Sequence, residues 1–277
     1  MPTRDSAWSP GTPCWVDLGV SDLGRSRTFY TGLFGWEVPH PTTETGGYAV
    51  CSLGGRAVAG LGQRADGGAS VWSTYLSVED IDSSVVQAAR HGWQVLATAT
   101  DVADLGRLAF GVDPTGAAYG LWQPGSLIGV GLHDEPGALA WNELMTRDRS
   151  AAEAFYVQLY GWQLEELEDL GDEVAYASVR AEDGSVVCGI GSIAPGSGTR
   201  SHWMAYFCVE DTDTAAARVV ELGGTVTFGP FDSPFGRVAV TAGPDSEVFC
   251  LIDAVGGHPL EVADHDARRG DAEDVLG

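Results

Sequence analysis

Residues 13–22 read Pro-Cys-Trp-Val-Asp-Leu-Gly-Val-Ser-Asp, and the chain returns to this pattern at 140–148 with Ala-Trp-Asn-Glu-Leu-Met-Thr-Arg-Asp. Trp15, Asp17 and Asp22 recur as Trp141, Glu143 and Asp148, each 126 positions later. Side chains alternate along a strand, so Val16, Leu18 and Val20 share one face while Trp15, Asp17 and Gly19 share the other. The first face is core. A carboxylate beside an indole on the second face points to a pocket.

Outward from this strand, Ser21 and Asp22 read as a helix N-cap. The segment from Arg25 to Phe34 then pairs Phe29 with Leu33 and Tyr30 with Phe34 at i, i+4 spacing, which predicts an amphipathic helix. Gly35 ends it and Trp36 starts the return. Strands follow at 47–53 and 56–62, joined by a turn at Gly54 and Gly55. The order then restarts, with a strand at 72–78, a cap at Glu79 and Asp80, a helix at 81–91, and strands near 94–99, 107–112 and 117–123. After the connection everything recurs: Phe155-Tyr156 for Phe29-Tyr30, Gly161-Trp162 for Gly35-Trp36, Tyr176 for Tyr48, Tyr206 for Tyr75, and Pro244 for Pro114. A repeat this long is not a solenoid's, whose units run to about 45 residues. The reading is α+β, with four strand–helix–strands modules forming two domains. Expected bounds are a flexible lead-in at 1–12, a first domain at 13–126, a linker at 127–137, a second domain at 138–256 and an acidic disordered tail at 257–277.

Composition narrows the function. A net charge of −24 over 277 residues repels phosphate and so argues against nucleic acid and anionic membranes. No apolar run approaches the roughly 20 residues of a membrane span, and the amino terminus shows no export signal. Five cysteines (14, 51, 188, 208 and 250) are an odd, widely spaced set, which fits reduced buried thiols in a cytoplasmic protein. The six histidines form no helical metal-binding pair.

A module that opens with a strand and Asp-Leu-x-x-Ser-x-x-Phe-Tyr, and closes with Asp-Pro-x-Gly before a last strand, resembles the vicinal oxygen chelate superfamily. That superfamily includes glyoxalases, extradiol dioxygenases and bleomycin-resistance proteins. The residues that carry the resemblance are Asp22, Leu23, Ser26, Phe29, Tyr30 and Gly35, with Asp113, Pro114 and Gly116 at the closing turn. The second half keeps Asp148, Phe155, Tyr156 and Gly161 but has Gly243-Pro244-Asp245-Ser246 at its turn. Within the superfamily the chain is most similar to tandem glyoxalase-like proteins of actinomycetes, which implies four βαβββ modules.

In the metal-dependent members, the first and last strands of each module offer His, Gln or Glu to a divalent ion. The matching positions here are Trp15, Ser73, Trp141 and Met204 on first strands, and Gly60, Gly120, Gly189 and Cys250 on last strands. None is a histidine or a carboxylate, whereas such an ion takes three or four N or O ligands. Neither a metal nor another cofactor is therefore expected. An off-pattern site using Asp17, Glu143 or His202 is the remaining route to one.

If the former ligand positions face a cavity, so do the residues two further on: Asp17, Tyr75, Glu143 and Tyr206. Trp15, Ser73, Trp122, Trp141, Met204 and Cys250 are the accompanying candidates for ligand contact. Pseudo-twofold symmetry would set the carboxylates and tyrosines around a shared cavity, although pairing within a half or across the halves stays open. A desolvated carboxylate could act as a general base, and a tyrosine could donate to an enolate or carbonyl oxygen. The bland alternative pairs Asp17 and Glu143 with Arg107 and Arg237. His133, in the linker, could cover a cavity mouth, and Asn142, on the opposite face from Glu143, would satisfy backbone groups. The expectation is a metal-independent binder of a small aromatic or hydrophobic metabolite, such as an antibiotic. The alternatives are a metal-free lyase or isomerase using Asp17 or Glu143, and a metal-dependent glyoxalase or dioxygenase. A monomer suffices for a complete site, with a homodimer left open.

Overall fold

The Val16–Leu18–Val20 face of the opening strand, Pro13–Val20 (β1), is buried as its alternation predicts. Asp22 then turns the chain into a helix, Leu23–Phe34 (α1), by accepting the Arg25 backbone N–H. The helix stops at Gly35, where a φ of 73° favours a residue without a β-carbon. The computed structural model describes residues 3–40, 47–64, 67–167 and 175–253. The first half continues through Tyr48–Leu53 (β2), Arg56–Gln63 (β3), Trp72–Ser77 (β4), Ile81–Arg90 (α2), Gln94–Val102 (β5), Gly106–Val112 (β6) and Ala118–Pro124 (β7). The second half runs Leu139–Thr146 (β8), Arg149–Tyr160 (α3), Gln163–Glu166 (β9), Tyr176–Arg180 (β10), Val186–Ser192 (β11), His202–Cys208 (β12), Thr212–Glu221 (α4), Thr225–Ser233 (β13), Gly236–Ala242 (β14) and Val248–Asp253 (β15).

The expected α+β architecture of four βαβββ modules is what the chain adopts. The first module's short strand after the helix is reduced to one bridge, Glu37 with Ser52, where the third module has β9. Each half forms one mixed sheet, in the orders β2-β3-β1-β4-β7-β6-β5 and β13-β14-β15-β12-β8-β11-β10-β9. The antiparallel pair at each centre, β1 with β4 and β8 with β12, joins two modules.

The two sheets turn their helix-bearing faces toward each other. Trp72 on β4 meets Phe207 on β12 with ring centroids 5.1 Å apart. The Thr74 hydroxyl donates to Asn142 Oδ1 at 2.8 Å, so Asn142 ties the halves together rather than satisfying backbone groups. Burial of the hydroxyl and the amide oxygen costs little because each satisfies the other. Tyr30 on α1 donates to Glu247 Oε1 at 2.7 Å, and its counterpart Tyr156 on α3 donates to Asp113 Oδ2 at 3.0 Å. Helix α1 is thus clamped to the turn of the opposite half, and α3 likewise.

One expectation and one alternative need correcting. Residues 3–12 are fastened rather than a flexible lead-in. Arg4 N–H donates to Gly131 O (3.1 Å), Gly11 N–H to Ser77 O (2.9 Å) and the Trp8 indole to Val130 O (3.1 Å). The stretch offers edge backbone groups that the connection between the halves can pair. Asp17 and Glu143 do not pair with Arg107 and Arg237. Arg107 reaches Asp82 (2.7 Å) and Asp101 (2.9 Å), and Arg237 reaches Asp213 and Asp232, all at the surface. The tail expected at 257–277 lies outside the described residues.

Candidate functional site

Because the helix faces meet, the faces carrying Trp15, Asp17, Trp141 and Glu143 point away from each other. The structure therefore contains two separate carboxylate clusters, one within each half, in place of one cavity shared across the halves. Adjacent modules supply each cluster through the central antiparallel pair, in which Trp15 lies opposite Tyr75 and Trp141 opposite Tyr206.

In the first half, the hydroxyls of Tyr75 and Tyr48 both donate to Asp17 Oδ2, at 3.1 and 3.3 Å. The Trp15 indole N–H donates in turn to the Tyr48 oxygen at 2.9 Å. Oδ1 is left to accept a ligand hydrogen bond or a proton. Burial pushes the Asp17 carboxyl up to about 7, against the opposing pull of the two hydroxyls. The cluster opens into a cavity of about 210 Å³ whose other walls are apolar: Val102, Leu105, Leu108, Trp122 and Leu127. The Trp122 indole N–H is already held by Leu127 O at 2.9 Å, so this ring offers the cavity only its apolar body. Ser73 lies opposite Asp17 in register but is not among the cavity's lining residues.

The second half repeats the scheme with different spacing. Tyr206 donates to Glu143 at 2.6 Å, and the Trp141 indole donates to the Tyr176 hydroxyl at 2.9 Å. Burial raises the Glu143 carboxyl above its ordinary range, while Tyr206 and Tyr176 act to lower it. Met204 lies opposite Glu143 and packs with Tyr206, Phe235, Val240 and buried Cys250. All five cysteines are buried free thiols, and burial raises those of Cys14, Cys51, Cys188 and Cys250.

Tyr48 and Tyr176 are the residues that strand reasoning passed over. Their recurrence was visible, but their role depends on β2 and β10 leaning over glycine positions of the neighbouring strand. A β-carbon at Gly60 or Gly189 would collide with the Tyr48 or Tyr176 hydroxyl. These are two of the positions at which the resemblance places a metal ligand, and each faces the carboxylate across the parallel pair, Asp17 with Gly60 and Glu143 with Gly189. Among the described residues, no group of three or more His, Cys, Asp or Glu side chains is placed to hold a metal ion. Tyrosine hydroxyls and one carboxylate per half do not fit the divalent ion that the fold implies.

The profile of the Glyoxalase/Bleomycin resistance protein/Dioxygenase superfamily matches residues 14–119, and that of a glyoxalase-like domain matches 142–252. CFP32 of Mycobacterium tuberculosis, whose name classes it provisionally as a glyoxylase, is 38% identical over 259 residues, covering 91% of this chain and 98% of its own. The anthracycline biosynthesis protein DnrV of Streptomyces peucetius is 33% identical over 271 residues, covering 91% and 96%. The Mn(II)-bound glyoxalase from Novosphingobium aromaticivorans superposes with a TM-score of 0.64 at 16% identity, covering 90% of this chain and 83% of that one. The 2,2',3-trihydroxybiphenyl 1,2-dioxygenase of Sphingomonas wittichii gives 0.61 at 17%, covering 90% and 92%. At such identities the solved structures speak to the fold alone. Among the described residues no helix is long and apolar enough to cross a membrane.

Proposed function

The chain belongs to the glyoxalase/bleomycin resistance protein/dioxygenase superfamily, with two such domains in tandem, and from that premise we propose that it binds a small aromatic metabolite without a metal ion. The observation that carries this reading is the Asp17–Tyr48–Tyr75 cluster at the floor of an otherwise apolar cavity. A cavity of about 210 Å³ lies between the roughly 150 Å³ that takes benzene and the 300 Å³ or more of drug-sized sites. It suits one or two fused rings, or the ring end of a larger molecule. The name of the relative DnrV, which refers to the biosynthesis of anthracyclines, supports a fused-ring aromatic ligand.

A second reading is favoured by the place of Asp17 in the cavity wall, where burial lifts its carboxyl to about 7. A base is most useful when its affinity for protons lies near working pH. In that reading Asp17 Oδ1 takes a proton from the carbon next to a bound carbonyl, and the electron pair passes to the carbonyl oxygen. The proton then returns to a conjugated carbon, which is an isomerisation, or to the carbon it left, which gives exchange alone. Both tyrosine hydroxyls are committed to Oδ2 in the resting cluster, so one must turn from Asp17 to the developing enolate once Oδ1 is protonated. Asp17 thus has the geometry of a base, and the tyrosines that of its holders.

The test uses 2-tetralone, a bicyclic ketone with exchangeable α-protons. Calorimetry measures its binding, and NMR in deuterium oxide measures α-exchange, for wild type and Asp17→Asn. Exchange by wild type that rises through pH 7, with Asp17→Asn still binding but not exchanging, identifies an enzyme. Binding without exchange identifies a binder. Failure of 2-tetralone and larger fused-ring ketones to bind wild type would remove both readings.

A further inference from the structure

The two halves differ where the chain leaves each sheet. In the first half, β1 and β3 splay apart at their starts and the connection fills the gap: Val130 N–H donates to Cys14 O and Gly131 N–H to Ala57 O, both at 2.8 Å. The register that aligns Asp17–Gly60 with Glu143–Gly189 makes Ala140 the counterpart of Cys14, and Val186 that of Ala57. At this place the second half has a cleft of about 270 Å³, lined by Ala140 and Val186 together with Trp8, His133, Trp141 and Asn142.

The polar groups of this cleft are arranged rather than scattered. Asp134 holds His133 through Nδ1 at 2.6 Å, which leaves Nε2 as the remaining hydrogen-bonding atom of the ring. Asp134 adopts a φ of 54°, a conformation that costs a non-glycine residue about 1 kcal/mol or more and that places its carboxylate on its neighbour. The Trp8 ring meets the imidazole edge-on at 5.3 Å. Asn142 lines the cleft and is 3% exposed; Thr74 occupies its Oδ1, which leaves the amide N–H groups as its remaining hydrogen-bonding atoms. The two carboxylates that line the cleft are engaged, Asp134 by His133 and Asp183 by Ser9 (3.2 Å) and the Ser185 N–H (2.9 Å). Arg4, which also lines the cleft, gives its guanidinium to Ser6 O and Ala7 O (3.0 Å each) and to the Trp8 ring (4.3 Å), and its charge already acts on Asp183, so a ligand ammonium would compete with a resident cation. The net charge of −24 opposes an anion.

We propose that this cleft is a second binding site, distinct from the Asp17 cavity, for a neutral phenolic molecule. Its hydroxyl hydrogen goes to His133 Nε2, its oxygen accepts from the Asn142 amide, and its ring lies between the indoles of Trp8 and Trp141. One flat molecule thereby supplies the donor and apolar body that Val130 and Gly131 supply in the first half.

The experiment follows 2-naphthol and 2-methoxynaphthalene by calorimetry in wild type, in Leu108→Trp, which fills the Asp17 cavity, and in His133→Ala. 2-Naphthol is also soaked into wild-type crystals, which keeps the test independent of whether Leu108→Trp folds. Expected are density for 2-naphthol between Ala140 and Val186, retained binding in Leu108→Trp, and a roughly tenfold loss in His133→Ala for the removed hydrogen bond. 2-Methoxynaphthalene, which lacks the donor, should lose a similar factor in wild type. Naphthol found only beside Asp17, or an unchanged affinity in a folded His133→Ala, overturns the proposal. So does the absence of naphthol from the cleft up to its solubility limit.

Discussion

The hydroxyl of Tyr48 fills the space that a β-carbon on Gly60 would need, and it reaches through that space to the Asp17 carboxylate, 3.3 Å away. Tyr176 stands over Gly189 in the same way and approaches Glu143. The tyrosine and the glycine make one arrangement, since any longer side chain at 60 would drive the phenol off the carboxylate. The proposed loss of metal binding is thereby built into the backbone as well as the side-chain list. Purified protein equilibrated with Mn(II), Fe(II) or Zn(II) and then desalted is expected to retain well under one ion per domain, and a chelator should leave 2-tetralone binding unchanged. Elemental analysis decides it. One tightly held ion per domain would show that a site exists which these residues do not account for.

The Asp17 carboxyl, held up to about 7 by burial, makes stability depend on pH in a defined direction. Its folded value lies above the ordinary 3.8, so the folded state binds this proton more tightly than the unfolded chain does. The contribution is fully present below about pH 3.8 and is lost as pH rises toward and through 7. Asp17→Asn keeps an acceptor for the tyrosines and removes the ionisation. It should be more stable than wild type at pH 8 by roughly 1–4 kcal/mol, at about 1.4 kcal/mol per pKa unit, and no more stable at pH 4. Urea titrations at the two pH values measure this difference, and an identical wild-type-to-variant gap at both would contradict it.

How much of this was legible in the sequence follows from what each signal measures. The Trp15–Asp17 alternation, the Asp22 cap and the Gly35 stop are local, and each repeats in the second half, so modules and strand faces could be read directly. Which faces of the two sheets would meet is not local. It rests on matches such as Trp72 with Phe207 and Thr74 with Asn142, on strands 68 or more positions apart. For that reason Asp17 and Glu143 could be assigned to one kind of strand face but not to separate clusters. The alternative that paired Asp17 and Glu143 with Arg107 and Arg237 stayed open in the sequence because a guanidinium can reach many carboxylates; the acidic surface nearby supplies cheaper partners than a buried Asp17. The role of Tyr48 was hidden by distance from its partner along the chain. A paired reading of Tyr48 with Gly60 and Tyr176 with Gly189, all recurring together, was the signal that would have found it.

Gly120 and Cys250 occupy equivalent places beneath Tyr75 and Tyr206. A β-carbon at Gly120 would enter the Tyr75 ring, so the phenol there lies flat on the strand and meets the shorter Asp17. In the second half the Cys250 side chain occupies that space, and the longer Glu143 reaches Tyr206 at 2.6 Å. Gly120→Ala should therefore displace Tyr75, destabilise the protein by about 1–3 kcal/mol and weaken 2-tetralone binding several-fold. Adding Asp17→Glu should recover part of both losses, because the longer carboxylate follows the displaced hydroxyl. Denaturant titration of the two single variants and the double variant reads the coupling. Strict additivity would mean that the glycine and the aspartate are independent.

Glu247 and Gly243 give the last test, which concerns how the halves are held together. Glu247 is fully buried, and its carboxylate lies where a side chain on Gly243 would project. Gly243 is the counterpart of Asp113, since each donates the same turn bond: Gly243 N–H to Glu247 O at 2.8 Å, and Asp113 N–H to Ala117 O at 2.9 Å. The two halves thus place a carboxylate at one point in space, before Tyr30 or Tyr156, from residues four positions apart. Glu247→Ala should cost about 1–3 kcal/mol, because it strands the buried Tyr30 hydroxyl and the Asp245 N–H that Glu247 now accepts. Gly243→Asp alone should also destabilise, by crowding two carboxylates into one buried site. Together the changes rebuild the first-half arrangement, and the double variant should regain at least half of the Glu247→Ala loss. Thermal unfolding of all four proteins measures it. A double variant less stable than either single one would show that the second turn cannot orient an aspartate toward Tyr30, and that the carboxylate's shift to 247 was forced by the turn itself.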